Sequence, residues 1–304
     1  MTRVASIDCG TNSIRLLIAD INGKNFKEVL RDMEIVRLGQ GVDKTKSFHP
    51  DAVKRTLLAV EKFKNSMAGK GVEKIRFCAT SATRDAQNRD LFTKGVSQIL
   101  GVEVEVIPGE EEAKLSFNGA TRELLTSDAP FLVVDIGGGS TEFVFGNEKV
   151  EFAKSVDIGC VRMSERHLTS QPAQMNQVAQ AIIDIDKAIA QAATVVPISS
   201  AKTLVAVAGT ATTIAAAALQ LETYDRYAIH LSRISADKVH KVSAMFQSMN
   251  KNEIASLGFM HPGRVDVITA GSLVLSRVMA ATGATEFVAS ESDILDGMAW
   301  SLIK

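Results

Sequence analysis

Two stretches of the chain repeat one pattern of carboxylate, glycine and small hydroxyl residues. Asp8-Cys9-Gly10-Thr11-Asn12-Ser13-Ile14 and Asp135-Ile136-Gly137-Gly138-Gly139-Ser140-Thr141 align without a gap. A strand that ends in Asp and turns through Gly and hydroxyl residues exposes backbone N–H groups that converge on an anion. The three glycines at 137–139 remove every Cβ that would hold a phosphate at a distance, and Thr11, Ser13, Ser140 and Thr141 add hydroxyl donors. Asp8 and Asp135 cannot bind phosphate themselves. Opposite a phosphate chain they make sense as ligands of a hard cation such as Mg²⁺, with Glu142 as a further carboxylate for it. One glycine turn says little; two copies in register say a great deal.

Three more segments carry candidate chemistry. Ala208-Gly209-Thr210-Ala211-Thr212-Thr213 lies between an apolar run and an Ala-rich stretch, so Gly209 and Thr210 would stand at a helix N-terminus. That position favours phosphate or a nucleoside edge; a plain turn with threonine caps is the alternative. Pro108-Gly109-Glu110-Glu111-Glu112-Ala113 opens a helix. Glu110 and Glu111 read as dipole complements on a solvated surface, while Glu112, if it faces the phosphates, could take a proton from an attacking water. Arg84 follows a strand at what should be the carboxyl edge of a sheet, where it suits either a bidentate phosphate contact or an ion pair with Asp85 or a neighbour. The five histidines (49, 167, 230, 240, 261) form no cluster, and neither a Gly-x-Ser-x-Gly elbow nor a Gly-Lys-Ser/Thr loop is present.

Apolar strands position these turns. Val4–Ile7, Ile14–Ile21 and Phe26–Leu38 read as three strands, with Asn22-Gly23 as the second bend. Val53, Leu57, Val60, Phe63 and Met67 then recur at helical spacing behind Pro50. A strand at Ile75–Ala79, a helix near Asp90–Leu100, a strand at Val102–Ile107 and the helix after Pro108 complete the first series. From Phe131 the series restarts: strands at Phe131–Val134, Thr141–Phe145 and Glu151–Val156, then helices at Val161–Leu168 and Gln174–Ala193. A strand at Leu204–Ala208 leads into a helix over Thr210–Leu221. Further helices are expected over Ala236–Met249 and Val265–Ala281, and Phe287–Ala289 is a short strand before a closing helix. A unit used twice implies two similar domains, 1–126 and 127–304, facing each other across a cleft, with the final helix free to pack back on the first.

The chain has 304 residues, 46% of them apolar and 23% charged, with formal net charge −1. That is a soluble globular balance with no electrostatic case for nucleic acid or a membrane surface as partner. Asp8 interrupts any secretory apolar core, and the Thr203–Leu221 stretch suits a buried strand-turn-helix better than a membrane span. The three cysteines match no metal spacing and no disulfide framework. A cytoplasmic protein is the expectation.

Six co-linear segments, DCGTNSIRLL (8–17), ATSATRDA (79–86), GEEEAKL (109–115), DIGGGSTE (135–142), GCVRMSE (159–165) and VAGTAT (207–212), together resemble the exopolyphosphatase/guanosine pentaphosphate phosphohydrolase family. The paired Asp-x-Gly loops are shared with the wider actin and sugar-kinase superfamily. The resemblance implies an α/β fold of two ribonuclease-H-like domains and hydrolytic release of the terminal phosphate of inorganic polyphosphate. Cleavage of the 5′ γ-phosphate of pppGpp is the alternative or a second activity, with a superfamily kinase or a non-catalytic sensor further off. It implies Glu112 as the catalytic glutamate, Arg84 gripping the departing phosphoryl group, and Mg²⁺ held by Asp135 and Glu142 with Asp8 nearby. Thr11-Asn12-Ser13 and Gly137-Gly138-Gly139-Ser140 would cradle the phosphates. A homodimer is implied as well. Leu295-Asp296-Gly297 stands where many relatives carry Arg-Glu-Gly, and longer relatives continue past the position of Lys304 into a helical HD-type domain. The first removes the expectation of a basic contact to a long chain there; the second leads us to expect a weaker extended grip on long polymers, with shorter substrates accepted.

Overall fold

The apolar runs around each Asp-Gly turn fold as antiparallel hairpins. In the computed structural model, which describes residues 1–303, β1 (Thr2–Cys9), β2 (Ser13–Asn22) and β3 (Asn25–Ile35) form a meander, with Asp8 opposite Arg15 and Cys9 opposite Ile14. The chain continues through α1 (Val42–Thr45) and α2 (Pro50–Met67) to β4 (Lys74–Ala79), which lies parallel to β1. Beyond α3 (Ser81–Asp85) and α4 (Asp90–Leu100), β5 (Val104–Val106) adds parallel to β4, and α5 (Gly109–Ala120) follows. The sheet order is β3-β2-β1-β4-β5.

The second series repeats the first. β6 (Phe131–Ile136), β7 (Thr141–Gly146) and β8 (Val150–Val156) form the meander. They are followed by α6 (Cys160–Arg166), α7 (Met175–Ala193), β9 (Thr203–Val207) and α8 (Ala208–Ala218). Next come α9 (Arg226–Ile229), β10 (Arg233–Ser235), α10 (Ala236–Ser248) and α11 (Lys251–Ala255). The series closes with α12 (Ile268–Thr282), β11 (Glu286–Ala289) and α13 (Ile294–Ser301). The second sheet, β8-β7-β6-β9-β11-β10 from its meander edge, has the order of the first with β10 added antiparallel to β11. Both sheets are ribonuclease-H-like α/β sheets.

The two compact units are Met1–Gly119 with Ile294–Lys304, and Ala120–Asp293. The division falls at Gly119, ahead of the 126/127 boundary suggested by the sequence, and α13 belongs with the first unit. In that unit both sheet faces are covered, which follows from strand alternation. Ala5, Ile7 and Cys9 face Val60 and Phe63 of α2 and Phe92 of α4. On the other face Val4 meets Leu295 and Ala299 of α13, while Cys78 meets Leu115 of α5 and Met298. Fully burying one such Phe or Leu is worth about 1.5–3 kcal/mol. Gly297 lets α13 approach α5: a Cβ there would stand 2.0 Å from Leu115 O. Ser6 Oγ donates to Leu295 O at 2.8 Å and Arg31 Nη2 to Asp296 Oδ1 at 2.6 Å. The Leu-Asp-Gly segment is thus engaged in holding α13 to its own unit.

The second unit's core joins Leu132, Val134 and Phe143 of the sheet to α7, α8, α10 and α12. Helix α8 is buried nearly all round, consistent with its small side chains, and among the described residues no helix is long and apolar enough to cross a membrane. The short α1, α3, α9 and α11 and the edge strand β10 have no counterpart in the sequence reading, because three to five residues carry too little periodicity to show. Ala208, expected to end a strand, instead opens α8 at φ 64.

Candidate active site

The two Asp-Gly turns close identically. Gly10 N–H donates to Ser13 O at 3.0 Å, and Gly137 N–H to Ser140 O at 3.0 Å. Their carbonyls are then drawn to one side by a neighbouring segment. In the first unit Asn12 O accepts from Val36 and Arg37 N–H (3.0 and 2.9 Å), and Thr11 O from Gly39 N–H (2.8 Å). In the second unit Gly137 O accepts from Cys160 N–H (2.9 Å), Gly138 O from Val161 and Arg162 N–H (2.9 and 3.1 Å), and Gly139 O from Arg162 Nε (2.7 Å). A planar trans peptide points its N–H opposite its C=O. Anchored carbonyls therefore aim the N–H groups of Asn12 and Ser13, and of Gly138, Gly139 and Ser140, away from the anchoring segment.

Close approach of the anchors requires glycine. A Cβ at Gly39 would stand 2.3 Å from Thr11 Cγ2, and one at Gly159 would stand 2.3 Å from Gly138 C and O. Thr141 Oγ1 donates to Ile158 O at 2.9 Å, which commits that hydroxyl to the loop's own structure. Thr11 Oγ1 is buried and has no hydrogen-bond partner.

In the first unit the turn adjoins a buried acid. Asp8 shares with Val4 and Ser6 the sheet face covered by α5 and α13. Thr80 N–H donates to Cys9 O at 3.1 Å, so α3 starts beside the end of β1. Arg84, on α3, donates from Nη1 to Ile107 O at 2.9 Å and to Glu112 Oε2 at 2.6 Å. Glu112, in the first turn of α5, is 9% exposed. Burial pushes its carboxyl above the ordinary range; the Arg84 charge and hydrogen bond oppose this, and the Asp8 charge adds to it. Asp8 itself is bound across the hairpin by Arg15, Nη2 to Oδ2 at 2.7 Å. Glu111 pairs with Arg76 at 2.6 Å, away from any phosphate role. Asp8, Thr11, Asn12, Ser13, Arg84 and Glu112 thus share one sheet edge.

In the second unit Asp135 and Glu142 are cross-strand partners at the mouth of the hairpin, 6% and 0% exposed. Glu142 Oε1 accepts from Ser155 Oγ at 2.7 Å. β9 runs parallel to β6 with Val207 beside Asp135, which brings the Gly209 turn to the same edge. Ala208 at φ 64 makes that turn sharp at a cost of roughly 1–2 kcal/mol. Sequence reasoning missed Arg264. Its guanidinium covers Gly209, where a Cβ would stand 2.4 Å from Cζ, and Nη1 donates to Thr213 Oγ1 at 2.9 Å. Thr210 packs between Gly271 and Cys160. Only the bulk that Gly209 lacks could have hinted at Arg264. Among the described residues no three His, Cys, Asp or Glu side chains are grouped to hold a metal. Mg²⁺ retains several waters and needs one or two protein carboxylates, so the hard oxygens of Asp135 and Glu142 suit it as a partly hydrated ion.

Two ribonuclease-H-like sheets, each with an Asp-Gly hairpin at the end of its first strand, define a protein of the actin-like ATPase fold class. Within that class, the chain belongs to the Ppx/GppA phosphatase family, whose model matches residues 17–304. It is 44% identical over 315 aligned positions to Exopolyphosphatase 2 of Mycobacterium tuberculosis, covering 99% of each chain. The crystal structure of an exopolyphosphatase-like protein superposes with TM-score 0.96 at 42% identity, covering 99% of this chain and 97% of the other. The Aquifex aeolicus member of the Ppx/GppA family gives TM-score 0.82 at 28% identity, with coverage of 99% and 97%.

Proposed function

We propose that the protein is an exopolyphosphatase that hydrolyses the terminal phosphoanhydride of inorganic polyphosphate, with Glu112 as general base. The observation that carries this reading is the buried Glu112–Arg84 pair beside the Asp8 turn. A carboxylate held above its ordinary pKa range, yet fixed by a guanidinium, is suited to accept a proton from water near neutral pH. Phosphoryl transfer needs alignment and charge neutralisation more than covalent chemistry. The N–H groups of the two glycine turns bind phosphate oxygens, Arg264 and Arg84 add cationic donors, and Glu112 orients the attacking water and takes its proton. Asp135 and Glu142 would hold Mg²⁺, and Asp8 is the carboxylate that the first unit would offer it. When bound, Mg²⁺ neutralises phosphate charge. The resemblance to Exopolyphosphatase 2 supports polyphosphate as substrate.

Orthophosphate release from polyphosphates of defined length, from pppGpp and from ATP, measured side by side with and without Mg²⁺, tests the reading. Turnover of polyphosphate well above pppGpp is expected; preferential turnover of pppGpp would replace it with the guanosine pentaphosphate activity. The same proposal carries a cytoplasmic homodimer, checked by light scattering of the purified protein and by cell fractionation.

A further inference from the structure

The mechanism above leaves one buried cation without a task. Arg162 occupies the third position of α6 and is 6% exposed. The first turn of a helix carries the positive end of its dipole, where a cation is disfavoured. Its Nη2 lies 3.8 Å from Asp157 Oδ1, a carboxylate largely in solvent. Arg162 also binds the loop, whose Gly139 O takes a further bond from Gly159 N–H at 3.3 Å. The Arg162 backbone N–H donates to Gly138 O at 3.1 Å and its Nε to Gly139 O at 2.7 Å. Main chain and side chain of one residue therefore hold two consecutive carbonyls, and across planar peptides those carbonyls set the directions of the Gly139 and Ser140 N–H groups.

We propose that Arg162 is a positioning residue that presets the Gly137–Ser140 loop for anion binding. The proposal rests on reading that loop as a phosphate cradle. A scaffold role predicts the opposite balance of effects, stability lost with anion affinity kept.

The test separates these roles. In a Glu112→Gln background, which slows turnover, tripolyphosphate binding with Mg²⁺ is measured by calorimetry for Arg162, Arg162→Lys and Arg162→Met. Loss of the charge-assisted bond to Gly139 O should weaken binding by roughly 10- to 100-fold in Arg162→Met. Arg162→Lys, which keeps the charge without the guanidinium Nε, should fall between the two. Without ligand, amide exchange at Gly139 and Ser140 should quicken in both variants. With the wild-type Glu112 restored, the loss should appear mainly as a higher KM. Unchanged affinity with unchanged exchange would overturn the proposal, as would a lowered melting temperature with parental affinity. If the Arg162 parent binds no tripolyphosphate while amide exchange still quickens in the variants, the phosphate reading fails and the positioning of the loop stands.

Discussion

Gly159→Ala isolates the geometry of the second glycine loop from every charge around it. Gly159 has φ −80 and ψ 163, an extended backbone that alanine adopts without strain, so the added methyl acts through space alone. That methyl would stand 2.3 Å from Gly138 C and O and 2.4 Å from Gly139 N, all of them backbone atoms. Comfortable carbon contacts lie at about 3.5–4.0 Å, so loop and helix must part by roughly 1 Å. Overpacking of this kind costs about 1–3 kcal/mol, and a 1 Å misplacement of binding groups costs about 10²-fold in rate. We expect Gly159→Ala to lower kcat/KM for tripolyphosphate by about that factor. Gly283→Ala is the control, since Gly283 has φ +70 and no neighbour within 4 Å. It should destabilise by about 1 kcal/mol through backbone strain and leave turnover unchanged. Orthophosphate release and thermal melting on both variants decide the matter. Wild-type kcat/KM in Gly159→Ala would show that the loop is not held where α6 places it, and the argument from anchored carbonyls would fail.

Glu112→Gln should fold and lose about 10²–10⁴ in turnover; activity near that of the wild type would remove Glu112 from the site. Burial raises the Glu112 pKa and only the carboxylate accepts a proton, so activity should disappear as pH falls through a value above the ordinary Glu pKa of about 4.3. Arg84→Ala, which deletes the opposing charge, should move that acid limb higher still, and an unmoved limb in the pH–rate profile would detach it from Glu112. Asp135→Asn should chiefly raise the Mg²⁺ concentration needed for half-maximal rate; an unaltered metal titration would refute its ligand role. Asp296→Ala removes one of two carboxylates on Arg31, with Glu28 remaining, and should cost about 1–3 kcal/mol in chemical denaturation. Its ratio of long- to short-polyphosphate turnover should not change if that aspartate serves only to hold α13.

The sequence made legible what is contiguous. Each hairpin could be read because strand, turn and strand adjoin, and the paired motif identified two units because both copies kept the same order of Asp, Gly and hydroxyl residues. Glu112 stood out only by resemblance: three glutamates in a row are chemically alike, and what sets Glu112 apart is the Arg84 guanidinium, which reaches it from another helix. Arg84 follows a strand as its sequence position implies, but the five-residue helix that carries it is too short to show a period. The closing segment at Leu295-Asp296-Gly297 prompted an expectation about polymer grip from a missing arginine. In the fold its three residues meet Ser6, Arg31 and Leu115, so at least part of its composition answers to packing within the first unit.

What could not be read is how a glycine loop becomes an anion site. Glycine supplies freedom, and freedom alone leaves N–H groups pointing in many directions. Direction comes from the carbonyl side of the same peptides, and the two units fix it with unrelated parts. The first uses an irregular segment, Val36 to Gly39, after a long edge strand; the second uses the opening turn of a helix and one arginine. In each, a glycine outside the loop (Gly39, Gly159) marks where the anchor touches it. Because the anchors differ in structure and share only this contact, no alignment of the two motifs could reveal them. The duplicated sequence specifies the cradle, and separate non-duplicated segments aim it; variants of the anchors should therefore impair anion binding even though they carry none of the repeated residues.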